Sequence, residues 1–277
     1  MPELPEVEVM RRDLDREIAG RKIKSVEVRD AAIFSRHKSS DEFVSMIEGC
    51  KIKSFDRKGL NILGKLDDSN LLVVNLGSSG HMVRVKGVKP APSEQTKVTI
   101  HFTQGGGIRL GDARATAEVF CMPKSEFLEL QEVQDMGIDL LDVPIPWTKL
   151  GAILRSHRSK LKALLVNPRV FAGIGPVYSD EILFNAGLMY DRTPDSLSAH
   201  EIRRFQRAML ETLTDAIKYR GISFDENDRD MFGARGEYTD QLKVFQRFEK
   251  ACQRCRRPVG RVKFQKRYHF FCPACQS

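Results

Sequence analysis

The sequence predicts an α+β protein of more than one domain. Three observations lead there. Short apolar runs bounded by turn residues fill roughly the first half, the pattern of a β-sandwich or barrel. Apolar residues at helical spacing take over beyond Leu130. Near the C-terminus, four of the six cysteines gather into two Cys-x2-Cys pairs. At 277 residues the chain is long enough for two cores.

Taken in order, Val7, Met10, Leu14 and Ile18 recur as one face of a helix, with Gly20 as a plausible C-cap. Strand-like runs follow at 22–29, 52–66, 71–76, 82–85 and 98–102, interrupted by a small helix over 41–48. Val98, Ile100 and Phe102 alternate with polar residues, which predicts a half-buried strand. The stretch from Leu130 through Pro144 and Pro146 reads as a linker. Helices are then expected over 147–157, 160–166, 177–186 and 198–219. The last opens on a capping box, Ser198 with Glu201, and carries a core stripe of Ile202, Phe205, Met209, Leu213 and Ile217. Residues 220–238 are polar, contain glycine and lack periodicity, so they read as a mobile loop.

With 41% hydrophobic residues the chain is globular, and no apolar run is long enough to span a bilayer. Its acidic, charged start argues against a signal peptide. A net charge of +8 permits a polyanionic partner without requiring one. Cys50 and Cys121 read as buried thiols, and the whole cysteine pattern suits a reducing cytosol. The six histidines are scattered and suggest no site.

Cys252, Cys255, Cys272 and Cys275 carry the clearest chemistry. Four thiolates in two knuckles can close tetrahedrally on one Zn²⁺ and leave no open position, so such a site is structural; a disulfide pair is the alternative. The segment between the knuckles and around them is basic, with Arg254, Arg256, Arg257, Arg261, Lys263, Lys266 and Arg267 and no carboxylate, which suits a phosphate backbone. The glycines in Phe171-Ala172-Gly173-Ile174-Gly175-Pro176, before a helix, would let backbone N–H groups approach a phosphate, though such a pair also makes an ordinary turn.

The start of the chain, Met1-Pro2-Glu3-Leu4-Pro5-Glu6, has two readings. Pro5 suits a first helical turn, and Glu3, Glu6 and Glu8 suit its positive end. Alternatively, removal of Met1 frees the Pro2 secondary amine, a nucleophile able to attack a sugar C1′, with Glu3 as a proton donor.

Met1-Pro2-Glu3-Leu4-Pro5-Glu6-Val7-Glu8, followed by Arg11-Arg12, resembles the opening of the formamidopyrimidine-DNA glycosylase/endonuclease VIII family, and the similarity runs to the last cysteine. The resemblance implies a two-sheet β-sandwich with an N-terminal helix (1–132), a linker (133–146), a helix-two-turn-helix domain (147–240) and a zinc ribbon (241–277). It implies a base-excision glycosylase with abasic-site lyase activity, one structural Zn²⁺, and damaged DNA, double- or single-stranded, held between the domains by a cytoplasmic, monomeric bacterial protein. Pro2 would be the Schiff-base nucleophile, Glu3 the acid and Glu6 a supporting carboxylate. Lys162, Gly173, Gly175 and Arg267 would meet DNA phosphates.

The chain departs from the family's pattern at several positions. The catalytic lysine falls at Leu60; Lys58, two residues earlier on an expected strand, would face the same side. The family's histidine, void-filling methionine, intercalating arginine and phenylalanine fall at Asn75, Ser78, Ala115 and Thr116. A DNA-contacting histidine falls at Gln95, and an asparagine at Pro176. These departures leave two functional expectations open: an active enzyme that prefers looser substrates, or a weak paralogue that binds damage without excising bases. A zinc-ribbon interaction module is a third.

Overall fold

In a computed structural model the described residues are 2–86, 93–142, 145–224, 228–264 and 267–277. The chain folds as two compact units, Met1–Asp135 with Arg220–Glu237, and Met136–Tyr219 with Tyr238–Ser277. This division differs from the sequence-based one in two ways. Residues 220–237 return to the first unit, and the ribbon shares a core with the helices instead of standing alone.

The first unit opens with α1 (Leu4–Ile18). Glu3 is its N-cap, Pro5 lies in its first turn, and the predicted stripe of Val7, Met10, Leu14 and Ile18 is buried. Gly20, at φ +85°, turns the chain out of the helix. Two antiparallel four-stranded sheets follow. One has the order β1 (Ile23–Val28), β6 (Thr96–Phe102), β7 (Gly107–Asp112), β5 (Gly80–Val85). The other has β2 (Ile52–Lys58), β3 (Asn61–Leu66), β4 (Asn70–Asn75), β8 (Glu118–Pro123). Ile100, Phe102, Ile108 and Leu110 from one sheet share a core with Phe55, Ile62, Leu72 and Val74 from the other. α2 (Ser40–Ile47), capped by the Ser39 hydroxyl, adds Phe43 and Ile47 to it.

Leu71 and Val73 point the other way, into a second cluster with Phe120, Phe127 and Val133. Phe127 and Val133 come from α3 (Lys124–Glu129) and α4 (Gln131–Gln134). The run Leu71-Leu72-Val73-Val74 is therefore buried on both faces, which explains why it does not alternate. β6 is likewise buried throughout from Val98 to Phe102, not half-buried as its alternation predicts; Thr99 and His101 are covered too. The residues from 130 onward are not a plain linker either, because Leu130 and Val133 pack on this sheet. Pro144 lies outside the described residues.

The predicted strand over 52–66 is a tight hairpin. Gly59 at φ +56° turns the chain, and Lys58 pairs with Asn61 across the turn. Leu60 sits in that turn and packs against the core. The same-face argument linking Lys58 to Leu60 needed continuous strand, so it fails. β7 and β8 escape sequence reading because glycines and mixed polarity hide their period.

The second unit packs α5 (Trp147–Arg155), α6 (Leu161–Leu165), α7 (Pro176–Ala186) and α8 (Ala199–Lys218) around Leu154, Leu161, Tyr178, Ile182, Phe205 and Met209. The Ser198–Glu201 capping box is present. The ribbon hairpin is β9 (Gly260–Phe264) and β10 (Arg267–Phe271). Among the described residues, no helix is long and apolar enough to cross a membrane.

Candidate active site

The chemistry-bearing start of the chain is built by the cap of α1. The Glu3 carboxylate accepts from the Glu6 backbone N–H, and Glu6 Oε2 accepts from the Glu3 N–H at 2.8 Å. This reciprocal box holds Pro2 at the helix entry. Glu6 is also clamped from the far side, where its Oε1 accepts from the Ile222 N–H at 3.0 Å. Gly221 makes that approach feasible: its φ is +76°, and a Cβ there would stand 2.5 Å from Glu6 Oε1.

One turn along, Glu8 accepts from Arg11 at 2.8 Å, Arg12 at 2.7 Å and Arg57 at 3.1 Å. Burial alone would raise its pKa; the hydrogen bonds and charges of these arginines outweigh burial and hold the carboxyl at about 2. Arg57 also donates to the Gly59 carbonyl at 2.9 Å, so the same guanidinium fixes the hairpin turn.

An open cleft of about 580 Å³ follows from this frame. Pro2, Glu6, His81, Arg220, Ile222 and Asp230 line it, all within the first unit. Of the expected residues, Pro2 and the supporting carboxylate Glu6 line this cleft, and Glu3 does not. Glu3 is 2% exposed and sits behind them as the cap. Of the stretch read as a mobile loop, Arg220, Ile222, Ser223, Asp228, Arg229 and Asp230 form one wall of the cleft. Arg220 pairs with Asp13 and Asp230, Met231 is fully buried, and Arg229 bridges to Arg235. Its residues 225–227 lie outside the described ones. Sequence reasoning missed this wall because its order comes from distant partners. It also missed His81; the signal available was its place directly after the Asn75–Gly80 segment.

Beside the cleft, two loops lean on each other. The Ser78 N–H donates to Thr116 Oγ1 at 3.0 Å, and the Ser78 hydroxyl lies 3.2 Å from it. Asp112 closes the second loop by accepting from the N–H groups of Arg114 at 3.0 Å, Thr116 at 2.5 Å and Ala117 at 2.6 Å, and from the Ser79 hydroxyl. Ala115 takes the left-handed conformation, φ +52°. Asn75 Nδ2 donates to Asn61 Oδ1 at 2.9 Å, and its Oδ1 accepts from the Gly77 N–H at 2.9 Å.

In the second unit, Gly173 (φ +73°) and Gly175 precede α7, with Gly175 as its N-cap and Pro176 at its first position. Lys162 is not at the surface. Its side chain is 0% exposed, pairs with Asp180 and donates to the Pro176 carbonyl at 3.0 Å. A phosphate cannot reach it while that pairing stands, so its place is that of a strut beneath the glycine turn. Arg267, by contrast, is exposed at the start of β10.

The four ribbon cysteines converge, with all Sγ atoms within 4.8 Å of one another. Cys252 and Cys275 are 3.9 Å apart and Cys255 and Cys272 3.4 Å. Zn–S bonds of about 2.3 Å in a tetrahedron place sulfurs about 3.8 Å apart, so the donor set fits one structural Zn²⁺. All four are free of disulfides. Of the remaining two thiols, Cys121 is buried as expected and Cys50 is only half-buried.

Residues 1–119 match the formamidopyrimidine-DNA glycosylase N-terminal domain, and residues 136–228 match the H2TH domain of the same enzymes. A formamidopyrimidine-DNA glycosylase of Desulforamulus reducens is 31% identical over 100% of this chain and 99% of its own length. The fold is similar to the MutM (Fpg) protein of Thermus thermophilus, with TM-score 0.86, 30% identity and coverage of 99% and 98%. It is also similar to the wild-type Lactococcus lactis Fpg in complex with DNA containing N7-benzyl-Fapy-dG, with TM-score 0.90, 25% identity and full coverage of both chains.

Proposed function

The chain belongs to the formamidopyrimidine-DNA glycosylase family of base-excision repair enzymes, and we propose that its glycosylase and lyase chemistry runs through the freed amine of Pro2. The observation that carries this reading is the cleft shared by Pro2 and Glu6 at the capped start of α1. With Met1 removed, the amine attacks C1′ of a damaged nucleotide and the base leaves. Glu3 supplies the proton for the opening sugar, and Glu6 holds the helix entry against the 220–230 wall. The resulting Schiff base acidifies C2′, and elimination cuts the strand.

The ribbon cysteines hold one structural Zn²⁺, which stabilises the basic hairpin. Arg267 and the turn at Gly173 and Gly175 meet DNA phosphates. Damaged DNA is the partner, and the protein works as a monomer in the bacterial cytoplasm. The sandwich, the helix-two-turn-helix segment and the ribbon divide the labour of chemistry and grip. Binding of damage without excision is the less favoured reading, since relatives matched along the whole chain are glycosylases by name.

Ser78, Ala115 and Thr116 are too small to fill the place of an everted base or to wedge a stack. The favoured substrates are therefore bubbles, single strands and abasic sites, where unstacking costs least. Borohydride trapping on abasic-site DNA, with mass spectrometry of the N-terminus, tests the proposal. A covalent adduct is expected from the wild type and from Leu60→Lys, and none from Pro2→Gly. An adduct of equal yield in Pro2→Gly would falsify the assignment of Pro2.

A further inference from the structure

His81 opens onto the same cleft as Pro2, yet it has no role in the chemistry above. Its Nδ1 is enclosed and has no hydrogen-bond partner among the described residues. The neighbouring charges are committed. Glu6 is held by Glu3 and Ile222, Arg220 by Asp13 and Asp230, and Asp228 by the Phe224 N–H.

The fold makes room for this ring at some cost. His81 pairs with Gly111 across β5 and β7, and a Cβ at 111 would stand 2.6 Å from both Cε1 and Nε2. Glycine at that position lets the imidazole lie on the sheet at the cleft wall. The lyase step needs a group that accepts a proton near neutral pH. Leu60 is apolar and packed on the core, Glu3 is engaged as the proton donor to the opening sugar, and Glu6 is clamped. Imidazole is the side chain suited to that task.

We propose that His81 takes the C2′ proton in the strand-cutting step, an inference that rests on the Pro2 Schiff base. The electron pair of the C2′–H bond forms the C2′=C3′ bond. The C3′–O bond breaks, and the phosphate leaves with the electron pair of that C3′–O bond. The proton arrives at Nε2 and passes on to water. The charged groups lining the same cleft are the Pro2 amine and Glu6 from the start of α1, with Arg220, Asp228, Arg229 and Asp230 from far along the chain. Arg109, two residues from Gly111, lies on the same face of β7.

The test uses full-length protein on DNA with one abasic site, reading borohydride adduct and strand cleavage separately in single turnover. In His81→Ala the adduct is expected within about twofold of wild type, while cleavage slows roughly 10²-fold and loses the acidic limb of its pH–rate profile. His81→Gln, which keeps hydrogen bonding without titrating, should be equally slow, and added imidazole should restore cleavage to His81→Ala. Cleavage at the wild-type rate in His81→Ala overturns the inference. So does full recovery in His81→Gln, or parallel loss of adduct and cleavage in both variants, since each marks a packing role. Absence of an adduct in the wild type is a different failure, that of the Pro2 assignment itself, and takes this inference with it.

Discussion

The Pro2 cleft and the loop pair beside it, 76–80 and 112–117, are parts of one sandwich unit, yet they are built in opposite ways. In and just behind the cleft, charged side chains are tied to distant partners: Glu6 to Ile222 and Arg220 to Asp13 at the cleft, and Glu8 to Arg57 one turn along α1. In the loops the backbone is held as tightly, by Asp112 and by Gly77, where a Cβ would stand 2.1 Å from the Thr116 carbonyl oxygen. Their projecting side chains, however, are small: Ser78, Ala115 and Thr116. A frame and the volume it presents are thus separable. The exposed side chain at 115 carries none of the loop's hydrogen bonds and is free to be small, whereas the Thr116 hydroxyl still holds Ser78. The cleft has no such freedom, since its side chains are themselves the frame.

The sharpest way to break this contrast is to remove one side chain from each region. Pro2→Gly should lower strand cleavage at abasic DNA by at least about a thousandfold, whereas Ser78→Ala should change it by less than about threefold. Equal effects in single-turnover assays would mean that the loops do chemistry too.

Next in size is acid sensitivity. The Glu8 carboxyl sits at about 2, against an ordinary value of 4.5. A depressed carboxylate stabilises the fold fully above its unfolded pKa, and the gain is lost as pH falls through the folded one. On the order of 3 kcal/mol should therefore disappear between about pH 4.5 and pH 2. Chemical denaturation of Glu8→Gln should show lower stability at pH 7 and a flatter acid dependence.

In the loops, Asp112→Ala removes the acceptor for three backbone N–H groups and a hydroxyl. About 1–3 kcal/mol of stability should go, with faster amide exchange at Arg114, Thr116 and Ala117. Adduct formation at Pro2 on an already abasic single strand should survive, because the cleft frame does not use Asp112.

The smallest effect should come from restoring volume. Ala115→Arg with Thr116→Phe is expected to tighten binding to damaged duplex several-fold relative to a bubble carrying the same lesion. Unchanged relative affinity in titrations at fixed salt would detach strand preference from these side chains.

The reach of sequence reading varies by region for physical reasons. α1, its cap and the ribbon cysteines are local patterns, in which spacing of three, four or two residues decides what touches what. They were legible from the residues. So was the long helix α8, although Ile217, predicted for its buried stripe, is only half-buried and Ala216 takes that place. The hairpin at Gly59 was not legible, because a run of apolar and basic residues reads equally well as one strand. Its turn is set by a positive φ and by Arg57 reaching Gly59 and Glu8 at once. Lys162, which the resemblance places at a DNA phosphate, is buried against Asp180 and acts as a strut.

By itself, then, the sequence determined the capped start of the first helix, the four clustered thiols, the change from strands to helices and the small side chains at 78, 115 and 116. Each of these depends on residue type and short spacing alone. Tertiary structure alone decided that Arg220, Ile222 and Asp228–Asp230 wall the cleft, that Glu6 is clamped by Ile222, and that His81 rests on Gly111. Those contacts join positions far apart in the chain, and their partners become neighbours only once the sandwich has closed.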